Sequence, residues 1–168
     1  GLYCFGEPFR REPLSREYLA NLIYGPSYVS LEYAMSHHGL IPERVETVTS
    51  VTTRRSRDFD TPIGTFSYRM LSGPRYGVGA ILKTAGKASF LVASPEKALA
   101  DKVWTDKRFR GGRLSDYDAY LAEDLRIDRE AFRSFDRSRL QAIAIAYHST
   151  KINNLVQYLK RFREAPHA

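Results

Sequence analysis

Residues Tyr28 to Arg57, YVSLEYAMSHHGLIPERVETVTSVTTRRSR, place a capped helix, a stop, a Thr-rich strand and a basic cluster in direct succession. Ser30 suits a helix N-cap, Glu32 falls in the first turn near the positive end of the helix dipole, and Val29 can staple onto Ala34. Gly39 at a left-handed C′ position, followed by Leu40 and Pro42, ends that helix. Val45 to Thr53 is dominated by Val and Thr, whose branched Cβ atoms favour a pleated strand. Arg54, Arg55 and Arg57 then close the stretch with guanidinium groups.

Upstream, Ser15 can cap a short helix that runs to about Tyr24 and repeats Leu19, Leu22 and Ile23 at helical spacing, until Gly25-Pro26 breaks it. Gly1 to Gly6 (GLYCFG) reads as a strand with no local partner, and Pro8 to Pro13 as a linker. Downstream, Asp60 to Gly64 carries turn chemistry, and Phe66, Tyr68 and Met70 alternate with Thr65, Ser67 and Arg69 as in a half-buried strand. Paired with Val45 to Thr53, that strand predicts a hairpin with a long basic loop. A second hairpin is expected from Val78 to Leu82 and Ala88 to Val92, turning at Ala85-Gly86.

Ser94 as cap, Pro95 at the first helical position and Glu96 behind it start a helix that buries Leu99 and Val103 and reaches about Trp104. Lys107 to Arg113 (KRFRGGR) reads as a flexible basic loop, Ser115 to Leu125 as a helix, and Asp128 as the cap of a short helix through Phe132. Two more helices follow, Ser138 to about Tyr147 and Lys151 to about Arg163. The last is amphipathic, with Ile152, Leu155, Val156, Leu159 and Phe162 on one stripe. The expectation is one α+β domain: a central antiparallel or mixed sheet of about four to five strands with helices before and after it.

Composition narrows the function classes. The chain has 168 residues, 43% hydrophobic and 12% aromatic, which suits one packed domain and excludes a disordered one. No apolar run approaches the length of a membrane span, so no membrane partner is expected. The single cysteine, Cys4, forms no internal disulfide and supplies at most one metal ligand, which points to a reducing, cytoplasmic setting. A formal charge of +7 permits contact with nucleic acid without requiring it.

Several motifs invite chemistry. Ser94-Pro95-Glu96-Lys97 matches the Ser-x-x-Lys of acyl-transfer enzymes, yet the accompanying Ser-Asp-Asn and Lys-Thr-Gly elements are missing, and Ser94 is better explained as a cap. His37 and His38 are adjacent and point about 100° apart on a helix, so they do not share a metal as an i, i+4 pair would. One is expected against the core and the other in solvent. Asp58, Asp60, Glu96 and Lys97 are the candidates for a magnesium-dependent nuclease, but no strand carries Glu-x-Lys beside a preceding Asp. Gly77-x-Gly79 lacks the third glycine of a dinucleotide fold. No cofactor and no metal is expected. The basic groups Arg54, Arg55, Arg57, Lys107, Arg108, Arg110 and Arg113 remain, in loops where they can reach phosphates, against the plainer reading of a solvated surface.

The chain resembles the AbiEi family of antitoxins from bacterial type IV toxin–antitoxin (abortive infection, phage-defence) systems. The resemblance rests on Gly25 to Ala34 (GPSYVSLEYA), on His38 to Glu43 (HGLIPE) with Thr49 to Thr53 (TSVTT) and its arginines, and on Ala93 to Leu99 (ASPEKAL). It covers Gly1 to Trp104, and the C-terminal helices in general pattern. It implies an upstream winged helix-turn-helix that binds operator DNA, with residues 1–13 as the remnant of its wing plus a linker and residues 14–168 as the antitoxin domain. It implies no enzymatic activity, autorepression of transcription, and a nucleotidyltransferase-like toxin as the partner, opposed without a necessary stable complex. The alternatives are the metal-dependent nuclease and a protein-interaction module using the apolar stripe of the last helix.

Overall fold

The computed structural model describes Tyr3 and residues 13–163, so the strand expected at Gly1 to Gly6, Tyr3 apart, and the Pro8 to Pro13 linker, Pro13 apart, lie outside the described residues. Helix α1 (Arg16–Ile23) starts where expected, with Ser15 Oγ accepting the Tyr18 amide at 3.1 Å. Strand β1 (Ser27–Val29) and helix α2 (Leu31–His37) follow. Then come β2 (Val48–Thr52), β3 (Arg57–Thr61), β4 (Gly64–Met70), β5 (Ala80–Ala85) and β6 (Ala88–Ala93). Helix α3 (Pro95–Thr105) is capped by Ser94, whose Oγ accepts the Lys97 amide at 3.3 Å. After it come α4 (Asp116–Ala119), running into a π turn at Tyr120–Asp124, and a 3-10 stretch at Arg129–Ser134. Helices α5 (Arg137–Tyr147) and α6 (Thr150–Lys160) complete the described chain.

The strands form one mixed sheet in the order β3-β4-β2-β1-β6-β5, so the α+β expectation holds with six strands rather than four to five. Two of them hide from pattern reading. β1 has only three residues, all buried, so it shows no alternation, and β3 lies within the segment read as loop and turn. The expected hairpin of β2 with β4 is corrected accordingly. β2 and β4 run parallel, with Ser50 opposite Tyr68, and it is β3 that makes the hairpin with β4 at the sheet edge. The β5–β6 hairpin forms as expected, but its first strand is Ala80–Ala85 rather than Val78 to Leu82, and with Ala85 opposite Ala88 the turn is Gly86-Lys87.

Alternation along the strands assigns the two faces. Ser50, Phe66 and Tyr68 share one face with Phe59 and Arg57 through the register. There the Tyr68 hydroxyl donates to the Ala20 carbonyl of α1 at 2.7 Å, and the Tyr24 ring packs edge-on against Tyr68. Tyr28, Val51, Ser67, Arg69 and Asp58 share the opposite face, where the Tyr28 hydroxyl donates to Asp101 of α3 at 3.0 Å. α3 covers only part of that second face, and the rest lines an open groove.

Helix α2 ends as its sequence predicts. Gly39 takes φ +70°, and the Leu40 amide reaches back to the Met35 carbonyl at 2.8 Å, a Schellman-type stop. Its start does not follow the expectation. Ser30 makes no capping bond, and its hydroxyl donates instead to Asp101 at 2.6 Å. Leu31 adopts φ +58°, a costly conformation for a leucine, so tertiary contacts hold this turn: Thr49 Oγ1 donates to the Ser30 carbonyl at 2.7 Å and accepts the Tyr33 amide at 3.1 Å.

His38 is half-buried and bonds the Ala93 carbonyl through Nε2 at 2.8 Å, whereas His37 is exposed beside Lys83. One histidine at the core edge and one toward solvent was the expectation. Burial holds both below the ordinary histidine range. The apolar stripe of α6 is spent inside the molecule: Ile152, Leu155, Val156 and Leu159 all lie in the core. The interaction-module reading of that stripe loses its surface.

Candidate functional site

The most densely bonded polar group is buried. Lys97 and Asp101 stand one helical turn apart on α3, with both side chains 0% exposed and Nζ 2.7 Å from Oδ1. Lys97 donates its other hydrogens to the Tyr147 hydroxyl at 2.6 Å and the Arg75 carbonyl at 2.7 Å. The Tyr147 hydroxyl in turn donates to Asp101 Oδ1, and Asp101 Oδ2 accepts from Tyr28 and Ser30. Every polar atom of the group has a partner, which burial of charge demands. Burial pulls the Lys97 ammonium below the ordinary lysine range, and the Asp101 charge pushes back. Burial and the same carboxylate hold the Tyr28 and Tyr147 hydroxyls well above theirs.

This group joins β1, the start of α2, the segment around Arg75, α3 and α5. Its side chains are all buried, and their bonds tie these elements together. Ser94 Oγ accepts an amide, and all three Lys97 hydrogens go to Asp101, Tyr147 and Arg75, so the Ser-x-x-Lys pair is a cap beside a buried ion pair. Sequence reading missed Asp101, Tyr147 and the role of Tyr28. An available signal was the Lys97/Asp101 pair at i, i+4 on a helix whose neighbouring residues are Ala98, Leu99 and Ala100.

The nuclease candidates are not gathered. Asp58 accepts from Ser67 at 2.7 Å and pairs with Arg69 at 3.0 Å, while Asp60 accepts from Thr65. Glu96 is buried against α5, accepting the Asp136 amide at 2.7 Å and pairing with Arg139. Among the described residues no group of three or more His, Cys, Asp or Glu side chains is placed to hold a metal ion.

The seven basic residues fall into separate places. Arg54, Arg55 and Arg57 are exposed on the β2–β3 connection, with Arg57 as the first residue of β3 rather than in a loop. The Arg54 guanidinium lies 5.5 Å from the centre of the Tyr24 ring and that of Arg57 5.0 Å from the centre of Phe59, on the α1 side of the sheet. Both rings are half-buried, and a cation–π contact of an exposed guanidinium with such a ring leaves its N–H groups free for phosphate.

Lys107 and Arg108 stand on the other side, where α3 stops short of covering the sheet. There they line a groove of about 940 Å³ with Arg44, Lys102 and, on the sheet, Ser67 and Arg69. Arg44, Arg69 and Lys102 were not singled out in the sequence. Arg69 was legible only as the polar side of an alternating strand, and Lys102 only as a helix residue.

The loop read as flexible is tied down. Burial opposes the charge of Asp106, but the amides of Arg108 and Phe109, Lys102 and the Tyr120 hydroxyl outweigh it and hold the carboxyl below the usual range. Lys151 donates to the Asp106 carbonyl at 2.8 Å, and Asn154 Nδ2 reaches the carbonyls of Gly111 and Gly112, both at 3.1 Å. Burial lowers the ammonium of Lys151 most, the Asp106 charge pushes it back up, and nearby Arg110 adds to the lowering. Arg113 sits at the start of α4, its amide bonded to Asp116 at 2.9 Å. Arg110 and Arg113 are exposed.

Among the described residues no helix is long and apolar enough to cross a membrane. In comparison with known proteins, no family model matches the chain and no curated protein matches it in sequence.

Proposed function

We propose that this chain is a non-enzymatic antitoxin domain of the AbiEi type, working in the cytoplasm against a nucleotidyltransferase-like toxin and, beside a winged helix, repressing its own operator. One observation carries the reading: the separate segments on which the resemblance rests meet around one frame. Tyr28 and Ser30 from the first segment bond Asp101, His38 from the second bonds the Ala93 carbonyl, and Ala93 opens the third, which supplies Lys97. Segments that share a frame are coherent as the mark of one domain type.

The Arg54, Arg55 and Arg57 turn is the part of this domain best suited to assist DNA binding. It is exposed and basic, and two of its guanidinium groups rest on aromatic rings without a carboxylate partner among the described residues. Such contacts position a protein on the phosphate backbone and do not read bases. Reversing all three charges in the full-length protein is expected to weaken binding to its own promoter about tenfold or more at low salt. The slope of log affinity against log salt should become shallower by about 2 to 3. A filter-binding salt series measures both, and an unchanged affinity and slope would show that the turn is a solvated surface.

A further inference from the structure

We infer that the groove between α3 and the uncovered face of β2 and β4 binds a nucleoside triphosphate. This goes beyond the antitoxin reading and does not rest on it. The groove gathers cations from distant parts of the chain: Arg44 after α2, Arg69 on β4, Lys102 on α3, and Lys107 and Arg108 beyond it. Cations outnumber the carboxylates Glu32, Glu46 and Asp106 along its walls, and Lys107 makes no ion pair with any described residue. Lys102 is held by Glu32 at 2.5 Å and Arg69 by Asp58 at 3.0 Å, but two of the pairs already present are easily exchanged. Arg44 and Glu46 meet at 2.8 Å with both side chains largely in solvent, and Arg108 is 94% exposed with its nitrogen 3.8 Å from Asp106. Exposed ion pairs of this kind are weak, so an incoming phosphate takes the guanidinium at little cost.

Size and shape favour a small ligand with several phosphates. About 940 Å³ is far more than one phosphate fills and lies within the range of small-molecule pockets. A second hollow of about 480 Å³ continues from the groove and shares Lys102, Asp106 and Arg108 with it. Its far wall is different in kind: Phe109 and Leu125 are apolar and half-buried, and Asp124 is exposed without a hydrogen bond or ion pair to any described residue. A cationic groove next to an apolar hollow with a free carboxylate suits a triphosphate at one end and a base at the other. Asp124 would accept from the amino or imino N–H groups of the base.

Calorimetric titration of the chain with ATP, GTP, CTP, UTP and inorganic tripolyphosphate tests this, with a twelve-nucleotide single strand as a separate arm. The expected result is nucleotide binding that Lys107→Ala/Arg108→Ala weakens about tenfold or more, because two charge-assisted contacts are lost from exposed positions that the fold does not need. Asp124→Asn should change the preference among the four nucleotides and leave tripolyphosphate binding unaltered. Arg54→Ala/Arg57→Ala, on the opposite face, should leave nucleotide binding unaltered. The inference is overturned if no nucleotide binds at millimolar concentration, if the Lys107/Arg108 variant binds as well as the parent, or if only the oligonucleotide binds. None of these outcomes bears on toxin neutralisation, which is read in cells.

Discussion

Asp101→Ala is expected to lower the stability of the protein by about 3 to 5 kcal/mol, the usual loss when one partner of a buried ion pair is removed. The substitution leaves the Lys97 ammonium with 0% exposure and only the Tyr147 hydroxyl and Arg75 carbonyl as acceptors. It also takes the acceptor from the Tyr28 and Ser30 hydroxyls, which are themselves buried. In urea, with a slope of about 2 kcal/mol per molar, the midpoint should fall by roughly 1.5 to 2.5 M. Adding Lys97→Met to Asp101→Ala removes the stranded charge, so the double variant should be more stable than Asp101→Ala alone. Tyr28, Ser30 and Tyr147 still lack their acceptor, and recovery is therefore partial. Additive losses in this cycle would show that Lys97 and Asp101 do not act as a pair.

Gly79→Ala reaches the same frame from its other side and should cost about 2 to 4 kcal/mol, joining left-handed backbone strain to overpacking. Gly79 has φ +77°, and an added Cβ would stand 2.9 Å from Lys97 Cβ and 3.5 Å from Ile143 Cδ1. The Ile143 contact is an ordinary one, but Lys97 does not yield readily, since its first carbon moves only with α3 and its Nζ is held at three acceptors. The Gly79 carbonyl also accepts the Ser94 amide at 2.9 Å, so displacing the backbone disturbs the start of α3 as well. Thermal or urea unfolding measures this directly. A loss under about 1 kcal/mol would mean that the segment has room to relax. Gly86→Ala is the control, because Gly86 has a similar φ of +62° and nothing near its Cβ.

What the sequence disclosed and what it hid divide along a physical line. Features decided within a few residues were legible: the Ser15 and Ser94 caps, the Gly39 stop, the β5–β6 hairpin and the inward stripe of α6. Features decided by distant partners were not. Ser30 has the right chemistry and position for a cap, yet its hydroxyl goes to Asp101, 71 residues away. β3 carries no apolar run of its own and is a strand because β4 supplies its hydrogen bonds. The basic residues were visible by type, but their separation onto two faces follows from the parallel register of β2 and β4 and from where α3 ends. Arg44, Arg69 and Lys102 join the groove only through that folding.

The central proposal is that this domain opposes a nucleotidyltransferase-like toxin. Its most direct test is co-expression of residues 14–168 with the nucleotidyltransferase-like toxin proposed as its partner, reading colony growth. The account predicts that growth is restored by the parent domain and by the exposed-surface variant Arg54→Ala/Arg57→Ala, and that it is lost in Asp101→Ala at a temperature where that variant is unfolded. Continued toxicity in the presence of well-expressed, folded parent domain would contradict the account.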